Sequence, residues 1–440
     1  MVEQFSVSKD LLAKAQQILT ENSRADSYTV PSGRLYPYQW NWDSGFIALG
    51  WACFDYQRAL REVESLFIGQ WKNGMVPHIV FHEFEEHYAP GPLDWQVPDH
   101  VKDQQVCTSG ITQPPIIGSV LYRIYTHKNR KTQAQNDDVQ FMALYKKTKA
   151  YHDWFMSKRT IGPDHDLCLS LHPWESGMDN SPSWDDLLKN VPDEDMSGFR
   201  RKDVNDDNLA ERPHDHDYRA YMSLVYHYRR VGYDQPDLMP QAHFRVYDLV
   251  LNSLLLRSAR DMKKLSALLS SDLCAEDEAY WDAQIDKISS GLQKLWSESD
   301  GAFLNGDAKT KALLEPVTNA SFLPLYAGAA SKEQAQALAQ KYKEWREVCG
   351  FSVATIDPLS DKFEATRYWR GPIWMNTNWL IAEGFKDYGY DDIAAEIRAD
   401  SAELIERFGY CEYFTPDGVR GCGADQFSWS AALALYWLAE

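Results

Sequence analysis

Two carboxylic acids lie in separate aromatic segments of this sequence. Asp179 belongs to the segment 172–185, HPWESGMDNSPSWD, and Glu412 belongs to the segment 410–414, YCEYF. Cleavage of an acetal needs a carboxylic acid that protonates the leaving oxygen and, in inverting enzymes, a second carboxylate that activates water. Apolar surroundings raise the pKa of a carboxyl group and so suit the acid. The two residues are therefore candidates for this acid and base, although the first segment equally fits a turn in which Asp179 bonds to its own backbone.

An aromatic cluster precedes one predicted helix. The segment 35–45, LYPYQWNWDSG, places four aromatic residues within seven positions just ahead of Asp43. Flat aromatic rings suit the apolar faces of sugars, and an acidic side chain accepts hydrogen bonds from sugar hydroxyls. Taken alone, Asp43 fits a helix N-cap better than a sugar ligand. The aromatic cluster favours a saccharide pocket, as does a similar segment at 367–374, RYWRGPIW.

The elements that must position these residues are helices. Apolar residues recur at steps of three and four, which is typical of amphipathic helices, and strand-like alternation is scarce. The windows with this pattern are 8–22, 43–54, 56–71, 111–126, 137–157, 217–231, 244–270, 277–297, 320–329, 332–346, 371–387, 390–407 and 425–438. This number of helices predicts an all-α protein, and a closed ring of paired helices is one of the few ways to pack them around one core.

Two long polar segments interrupt the helices. Both 82–110 and 185–216 border motifs that carry carboxylates or aromatic residues, and loops of this length in a compact domain are often functional. We expect a single catalytic domain over 1–440 in which these two insertions form walls or lids of the pocket; whether they close as lids stays open. The polar stretch 127–136 is interpreted as a solvated connection.

Composition excludes several classes of function. The formal net charge of −19 repels nucleic acid and anionic membranes, and no apolar run is long enough to cross a bilayer. The first twenty residues lack a signal-peptide pattern, so we expect a cytoplasmic protein. Seven scattered cysteines without a C-x-x-C pair predict reduced thiols. The alternation at 214–217, HDHD, lacks the spacing of a metal site, and we expect no metal and no cofactor. The oligomeric state stays open, a homo-oligomer included.

Six motifs in fixed order resemble glycoside hydrolase family 63. They are Tyr36-Pro37 with Trp40-x-Trp42-Asp43, 70–78 (QWKNGMVPH), 108–115 (TSGITQPP), 174–182 (WESGMDNSP), 368–372 (YWRGP) and Ser428-Trp429. The matches run from about residue 36 to the C-terminus. They are most similar to the short bacterial members that hydrolyse glucosylglycerate or mannosylglycerate.

This resemblance implies an (α/α)6 barrel and an inverting mechanism without a cofactor, with Asp179 as general acid and Glu412 as general base. It implies that the sugar is bound by Tyr36, Trp40, Trp42, Asp43, Gln113, Tyr368, Trp369, Gly371 and Trp374. Trp174, which flanks the acid segment, is a further candidate for substrate binding.

The resemblance also implies a glycerate site. Glucosylglycerate hydrolases hold glycerate through an Arg and a Tyr of one motif and a Tyr on an earlier loop, which correspond to Arg212, Tyr218 and Tyr88 here. An acidic protein that binds a carboxylate needs a local cation, and the planar guanidinium of Arg suits it. An ordinary ion pair with the acids of 203–217 is the alternative for Arg212. The chain departs from the family at Phe427, where members carry a second Gln before Ser-Trp, and this affects the aglycone.

The sequence thus predicts an inverting α-glycosidase that cleaves 2-O-α-glucosylglycerate into glucose and glycerate. Mannosylglycerate or another small α-glucoside is the alternative substrate. A phosphorylase or epimerase on the same helical ring is the nearest rival enzyme, and a non-catalytic carbohydrate-binding protein is the rival of another class. For an inverting mechanism we expect the two carboxyl groups roughly 6.5–9.5 Å apart.

Overall fold

The protein is described by a computed structural model that covers residues 7–33, 35–103, 106–127, 137–161, 166–204, 209–233, 238–269 and 274–439. The helices in chain order are α1 Lys9–Asn22, α2 Asn41–Ala52, α3 Tyr56–Ile68, α4 Pro92–Trp95, α5 Ile117–Thr126, α6 Asp138–Lys158, α7 Asp185–Leu188, α8 Asp215–Val231, α9 Leu238–Gln241, α10 Leu249–Leu269, α11 Cys274–Gln293, α12 Leu323–Ala327, α13 Lys332–Cys349, α14 Met375–Asp387, α15 Asp391–Phe408 and α16 Ser428–Leu433, which continues as a π-helix over Ala434–Leu438. Short 3₁₀ helices lie at Pro173–Glu175, Pro182–Trp184 and Asn319–Phe322.

Six helices form a closed inner ring. Helix α2 packs against α5, α5 against α10, α10 against α12, α12 against α14, α14 against α16, and α16 again against α2. An outer helix covers most of these: α1 packs on α16, α3 on α2, α6 on α5, α11 on α10 and α15 on α14. The sixth outer helix, α13, contacts α14 through Tyr342 and Phe385, whose ring centroids are 5.6 Å apart. The architecture is an (α/α)6 barrel, which confirms the fold predicted from the sequence.

Position in the ring explains the composition of the helices. All residues of the inner helix α2 are buried, because neighbours enclose it on every side. The outer helix α3 instead has a strongly one-sided apolar pattern, as a helix with one solvent face requires. The helices predicted from periodicity are present, and most of their ends lie within a few residues of the predicted ones.

The start of α2 differs from the expected one. The helix begins at Asn41, and its N-cap residue is Trp40. Asp43 therefore lies inside the first helical turn and is not the cap, so the N-cap interpretation of this residue was wrong. The cause is the strand pairing of the preceding residues, which fixes where the extended chain stops.

Short strands connect the helices at the end of the barrel where α2 starts. They are β1 Ser23–Arg24, β2 Tyr28–Thr29, β3 Gln39–Trp40, β4 Ile79–Phe81, β5 Cys107–Thr108, β6 Leu169–Ser170, β7 Val246–Tyr247, β8 Trp296–Ser297, β9 Ala302–Phe303, β10 Asn305–Asp307, β11 Leu313–Leu314, β12 Tyr413–Phe414 and β13 Gly421–Cys422. Strands β3, β4 and β5 form an antiparallel sheet in which Trp40 is opposite Ile79. Strands β12 and β13 form a hairpin with Tyr413 opposite Cys422. Strands of two or three residues are too short to show alternation in a sequence.

The two long insertions are partly structured. The first contains α4 and β5, and the second contains α7 and the residues that lead into α8. The start of α8 includes the predicted polar run at 214–217, where the Asp217 carboxylate accepts a hydrogen bond of 3.1 Å from the His214 backbone N–H and so caps the helix. Residues 104–105 and 205–208 of the insertions, and 128–136 of the expected polar connection, lie outside the described residues.

Two further observations concern the hydrophobicity of the helices and the state of the cysteines. Within the described ranges, none of the helices combines the length and the apolar character required to cross a membrane. Among the described side chains, the cysteines form no disulfide bonds; they are Cys53, Cys107, Cys168, Cys349, Cys411 and Cys422.

Candidate active site

One pocket collects nearly all of the predicted site residues. It has an empty volume of about 760 Å³, which includes the open space at its mouth. Its walls come from the start of α2, from the loop that carries Asp179, from the hairpin that carries Glu412 and from the residues around the start of α8. The predicted residues that line it are Tyr36, Trp40, Trp42, Asp43, Tyr88, Gln113, Trp174, Asp179, Arg212, Tyr218, Tyr368, Trp369 and Glu412.

The backbone on both sides of Asp179 is held by hydrogen bonds. The Tyr221 hydroxyl donates to the Asp179 carbonyl oxygen at 2.9 Å, and the Trp184 indole N–H donates to the carbonyl of the preceding residue at 2.8 Å. The side chain of Asn180 accepts a hydrogen bond of 2.9 Å from the Trp369 backbone N–H. These contacts fix the loop from both sides, so the Asp179 carboxyl has a defined position in the pocket.

Gly177 allows this loop to approach the aromatic wall. Its φ is +73°, and a β-carbon at this position would lie 2.6 Å from the ring of Trp42. Only glycine combines this backbone angle with the close approach. The loop therefore brings Asp179 directly beside a sugar-binding candidate.

Asp179 has the environment of a general acid. Burial raises the pKa of its carboxyl to about 7, against the opposing effect of the Arg212 guanidinium, and the nearby Glu412 raises it further. A carboxyl group with this pKa is substantially protonated near neutral pH. Among the described residues, no cation forms an ion pair with it.

Glu175, the second carboxylate of the same segment, has a structural environment. Its two oxygens form an ion pair with Arg159 at 2.6 and 2.7 Å, and they also accept hydrogen bonds from the backbone N–H groups of Leu171 and Thr112. Each carboxylate oxygen is thus already occupied. Glu175 is absent from the pocket lining, so the two acids of the segment have separate roles.

Glu412 is held by its own hairpin. The Glu412 backbone N–H donates to the Ala424 carbonyl at 2.8 Å, and the Ala424 N–H donates to Oε2 of Glu412 at 2.9 Å. The Tyr36 hydroxyl donates to Oε1 at 2.9 Å. Burial raises the pKa of Glu412, while Arg212 and these hydrogen bonds lower it by stabilising the anion. The carboxylate is therefore oriented and retains an acceptor role.

Asp43 is a further carboxyl group in the pocket. It lies in the first turn of α2, and burial raises its pKa well above the ordinary value. Glu412 and Asp179 are close enough to raise it further by charge repulsion. Asp43, Asp179 and Glu412 thus share one low-dielectric space, which favours protonation of at least one of these three groups.

Aromatic rings form the wall expected for a sugar. The rings of Trp42 and Trp369 have centroids 6.1 Å apart, and the Trp42 backbone N–H donates to Gln113 Oε1 at 3.1 Å. Trp40 contacts Tyr36 and Tyr88 edge-on, each with a centroid distance of 5.4 Å. This packing leaves little freedom to the rings that face the pocket.

Two predicted binding residues lie behind this wall and do not line the pocket. Trp374 stacks on the back of Trp369 at 3.9 Å with the rings 2° from parallel, and its indole N–H donates to the Tyr368 carbonyl. A β-carbon on Gly371 would lie 2.4 Å from the carbonyl oxygen of Glu364. The structure thus gives both residues a supporting position, because the turn of the chain after Tyr368 directs them into the core.

Arg212 lies between two carboxylates. Its Nε and Nη2 donate to Oδ2 of Asp203 at 3.3 and 3.2 Å, its Nη1 donates to the Tyr36 hydroxyl at 2.6 Å, and Nη1 is 3.7 Å from Oε1 of Glu412. The ion pair considered as an alternative in the sequence analysis therefore exists. It does not remove Arg212 from the pocket, which the residue still lines.

Tyr88 and Tyr218 lie on the same side of the pocket as Arg212. The Tyr218 hydroxyl donates to the Ala89 carbonyl at 3.1 Å, so its oxygen is left as an acceptor. The edge of Tyr88 packs on Tyr38 and Trp40. The first insertion and the start of α8 are thereby joined beside the predicted glycerate site.

Sequence reasoning missed several lining residues, among them Asp203 and Tyr221. Asp203 lies in a run of many acids, and nothing in the sequence distinguishes it from its neighbours. Tyr221 follows Tyr218 by three residues on α8, and this spacing places both on one helix face. This helical spacing was the signal in the sequence that could have identified Tyr221. The other lining residues that were not predicted to bind substrate are Pro31, His78, Gly177, Pro213, Phe427 and Trp429.

Comparisons with known proteins show which proteins this chain is similar to. Residues 36–430 match the family model described as the mannosylglycerate hydrolase MGH1-like glycoside hydrolase domain. A mannosylglycerate hydrolase of Thermus thermophilus is 43% identical over 96% of this chain and 99% of the relative. A glucosylglycerate hydrolase of Mycolicibacterium hassiacum is 30% identical over 97% of this chain and 97% of the relative.

A solved structure is similar over almost its whole length. The crystal structure of the GH63 mannosylglycerate hydrolase from Thermus thermophilus in complex with Tris and D-glycerate superposes with a TM-score of 0.90 at 42% identity. The match covers 97% of this chain and 99% of that one.

Proposed function

Because the chain belongs to glycoside hydrolase family 63, among its mannosylglycerate hydrolase MGH1-like members, we propose that it is an inverting α-glycosidase that hydrolyses the glycosidic bond of a hexosylglycerate. Asp179 protonates the glycosidic oxygen, and Glu412 removes a proton from the water that attacks the anomeric carbon from the opposite side. The products are a free hexose and glycerate.

One observation carries the assignment of the two roles. Asp179 and Glu412 share a pocket, but their carboxyl groups have different partners. Burial raises the pKa of Asp179 to about 7 and favours its acid form at neutral pH. Glu412 accepts hydrogen bonds from Tyr36 and Ala424, and these favour its anion. Burial raises the pKa of both carboxyl groups, but only Glu412 has these two donors to stabilise its anion, and such a difference is typical of an acid and base pair.

The aromatic wall and Asp43 serve the sugar. Trp40, Trp42 and Trp369 offer apolar faces to the ring, and Gln113 and Asp43 lie beside them for its hydroxyl groups. The raised pKa of Asp43 favours a neutral carboxyl that can donate as well as accept a hydrogen bond. We therefore assign the hexose to this half of the pocket.

The other half suits glycerate. Asp203 occupies the guanidinium edge formed by Nε and Nη2 of Arg212, and Nη1 donates to Tyr36. One N–H of each Nη atom is left for a ligand carboxylate. Tyr218 retains an acceptor oxygen, which fits a glycerate hydroxyl better than the carboxylate. Tyr88 lies next to both.

We choose between the two hexoses by the sequence identity of this chain to its relatives. The relative named mannosylglycerate hydrolase has the higher identity, and the relative named glucosylglycerate hydrolase the lower. We therefore place 2-O-α-mannosylglycerate first, with the glucosyl substrate expected from the sequence as second candidate. Phe427 borders the pocket, so its departure from the family pattern still bears on which aglycone is bound.

The test is an assay with four substrates: mannosylglycerate, glucosylglycerate, glucosylglycerol and sucrose. Products are followed by NMR without phosphate in the buffer. We expect release of hexose from a glycerate glycoside, with the β-anomer formed first, and about 10²- to 10⁴-fold lower kcat for Glu412→Gln. Initial release of the α-anomer would contradict inversion. A parent protein that binds these compounds without cleaving any of them would be a carbohydrate-binding protein instead.

A further inference from the structure

Arg201 is a buried cation near the pocket that is absent from the pocket lining. Its side chain is 10% exposed, and its Nε and Nη2 bind the two oxygens of Asp203 at 2.7 and 3.1 Å. Asp203 in turn binds Arg212 through Oδ2, and both of these side chains are 6% exposed. The three side chains thus form a buried chain of alternating charge, Arg201–Asp203–Arg212.

These three linked side chains change the net charge beside the proposed glycerate site. Arg212 and Asp203 alone would form a neutral pair, and Glu412 lies 3.7 Å from the same guanidinium. A neutral pair attracts an anionic substrate weakly, and the other acids of the pocket would repel it. With Arg201 included, the triad carries a net charge of +1, and the sum with the Glu412 carboxylate changes from −1 to zero. A buried positive charge next to the pocket attracts a carboxylate far more strongly than an exposed one.

Arg201 also contacts several of the segments that form the site. Its Nη1 donates to the Pro213 carbonyl at 2.7 Å, directly after Arg212 in the chain. Its guanidinium carbon lies 4.4 Å above the ring of Tyr218. The same Nη1 also reaches Asp215, whose side chain is 85% exposed, so solvent screens that contact. One side chain therefore touches the segments that carry Arg212, Asp203 and Tyr218.

We propose that Arg201 is a positioning residue for the aglycone: it neutralises Asp203 and fixes Tyr218, so that Arg212 keeps its positive charge and orientation for the carboxylate of the substrate. This inference rests on the proposed function, since it assumes that the aglycone is glycerate. Arg201 acts through its neighbours and makes no contact with the reacting atoms.

The test compares two substrates that differ in one group, which is a carboxylate in the glycerate glycoside and an uncharged hydroxymethyl group in the glycerol glycoside. Parent and Arg201→Gln are assayed on the preferred hexosylglycerate and on the hexosylglycerol with the same sugar, and the affinity for D-glycerate is measured by calorimetry. We expect KM for the glycerate glycoside, and Kd for D-glycerate, to rise about tenfold or more with kcat within about twofold. The kinetics on the uncharged hexosylglycerol should stay within about twofold.

Further variants separate charge from structure. Arg201→Lys should recover part of the lost affinity, because it restores the charge but not the two-point contact. Asp203→Asn combined with Arg201→Gln should also recover affinity, because the triad is then again +1. Arg219→Gln is the matched control: Arg219 lies on α8 with a side chain that is 62% exposed, and we expect parent kinetics.

Three outcomes would overturn the inference. Equal losses on both substrates would mean that Arg201 only stabilises the fold, and unchanged KM and Kd would mean that it has no role in the site. Failure of the double variant to improve on Arg201→Gln would exclude charge balance as the cause. A parent enzyme that cleaves neither glycerate glycoside overturns the proposed function itself, and this result is distinct because it needs no variant.

Discussion

The hydroxyl of Tyr36 donates a hydrogen bond of 2.9 Å to Oε1 of Glu412. The same hydroxyl accepts a hydrogen bond from Arg212 Nη1 at 2.6 Å, so it cannot turn away from the carboxylate without losing both partners. Tyr36 thus joins the proposed base to the proposed carboxylate-binding cation. Residues separated by more than three hundred positions, such as Tyr36 and Glu412, act here as one unit.

Replacement of Tyr36 by Phe should weaken the base. The hydrogen bond from Tyr36 lowers the pKa of Glu412, so its removal raises that pKa and shifts the acidic limb of the kcat/KM profile to higher pH. We expect kcat/KM at the optimum to fall about ten- to a hundredfold, the usual effect of a lost hydrogen bond to a charged group. Tyr145→Phe, which removes a hydroxyl bound to Asp277 away from the pocket, is the control. An unmoved acidic limb would argue against Glu412 as the base.

The effect of replacing Asp179 by Asn should depend on the leaving group. A glycerate leaving group needs protonation, whereas p-nitrophenolate leaves without it. We expect kcat for the hexosylglycerate to fall about 10²- to 10⁴-fold and that for the p-nitrophenyl α-hexoside to fall much less. Glu412→Gln is the matched variant and should reduce both reactions alike, because both need activated water. Equal losses in the two Asp179→Asn reactions would assign Asp179 a role other than proton donor.

The basic limb of the kcat/KM profile should follow the titration of Asp179. The general acid must be protonated, and burial raises the pKa of this carboxyl to about 7. We therefore expect kcat/KM to decline as pH rises through about 7. Asp248 is the control, since burial raises its pKa to about 7 too, yet it lies outside the pocket and binds the backbone at the start of α10. Asp248→Asn should leave the basic limb in place; a shifted limb would point to a different titrating group.

Asp179 should also make the protein less stable at high pH. Its folded-state pKa is about 7 against an ordinary value of 3.8, so between these values the folded chain binds more protons than the unfolded chain. The free energy of unfolding contributed by this group then decreases as pH rises, and the loss is complete above about pH 7. Asp179→Asn removes this decrease. We expect the Tm of Asp179→Asn minus the Tm of the parent to be larger at pH 8 than at pH 4. A Tm difference that does not change with pH would contradict a raised pKa of Asp179.

Gly423 should tolerate no side chain. Its φ is +71°, and a β-carbon would lie 2.5 Å from Oε2 of Glu412. Displacement of a catalytic group by about 1 Å reduces turnover about a hundredfold, and we expect this for Gly423→Ala. Gly350 has a φ of +86° with no atom within 4 Å, so Gly350→Ala imposes the backbone strain without the clash. That control should lose about 1–2 kcal/mol of stability but keep parent kcat. Equal kcat values for the two variants would refute the steric argument.

The sequence by itself determined the helices and the kinds of residue in the site. Helical periodicity depends on neighbours three and four positions apart, so α3, α13 and α15 were readable without knowledge of the fold. The aromatic segments around Trp42, Asp179 and Glu412 were equally visible, because their composition is local. The resemblance to a family added the ring architecture and the roles proposed for the two acids.

Only the tertiary structure decided which of these residues meet. Asp179 and Glu412 share a pocket because the inner ring closes between α16 and α2. The same packing separates Asp179 from Glu175, whose oxygens Arg159 occupies, and directs Trp374 behind the wall. It also joins Arg201 to Arg212 through Asp203. Such contacts depend on long-range packing and on the burial of charge, neither of which leaves a periodic signal in the chain.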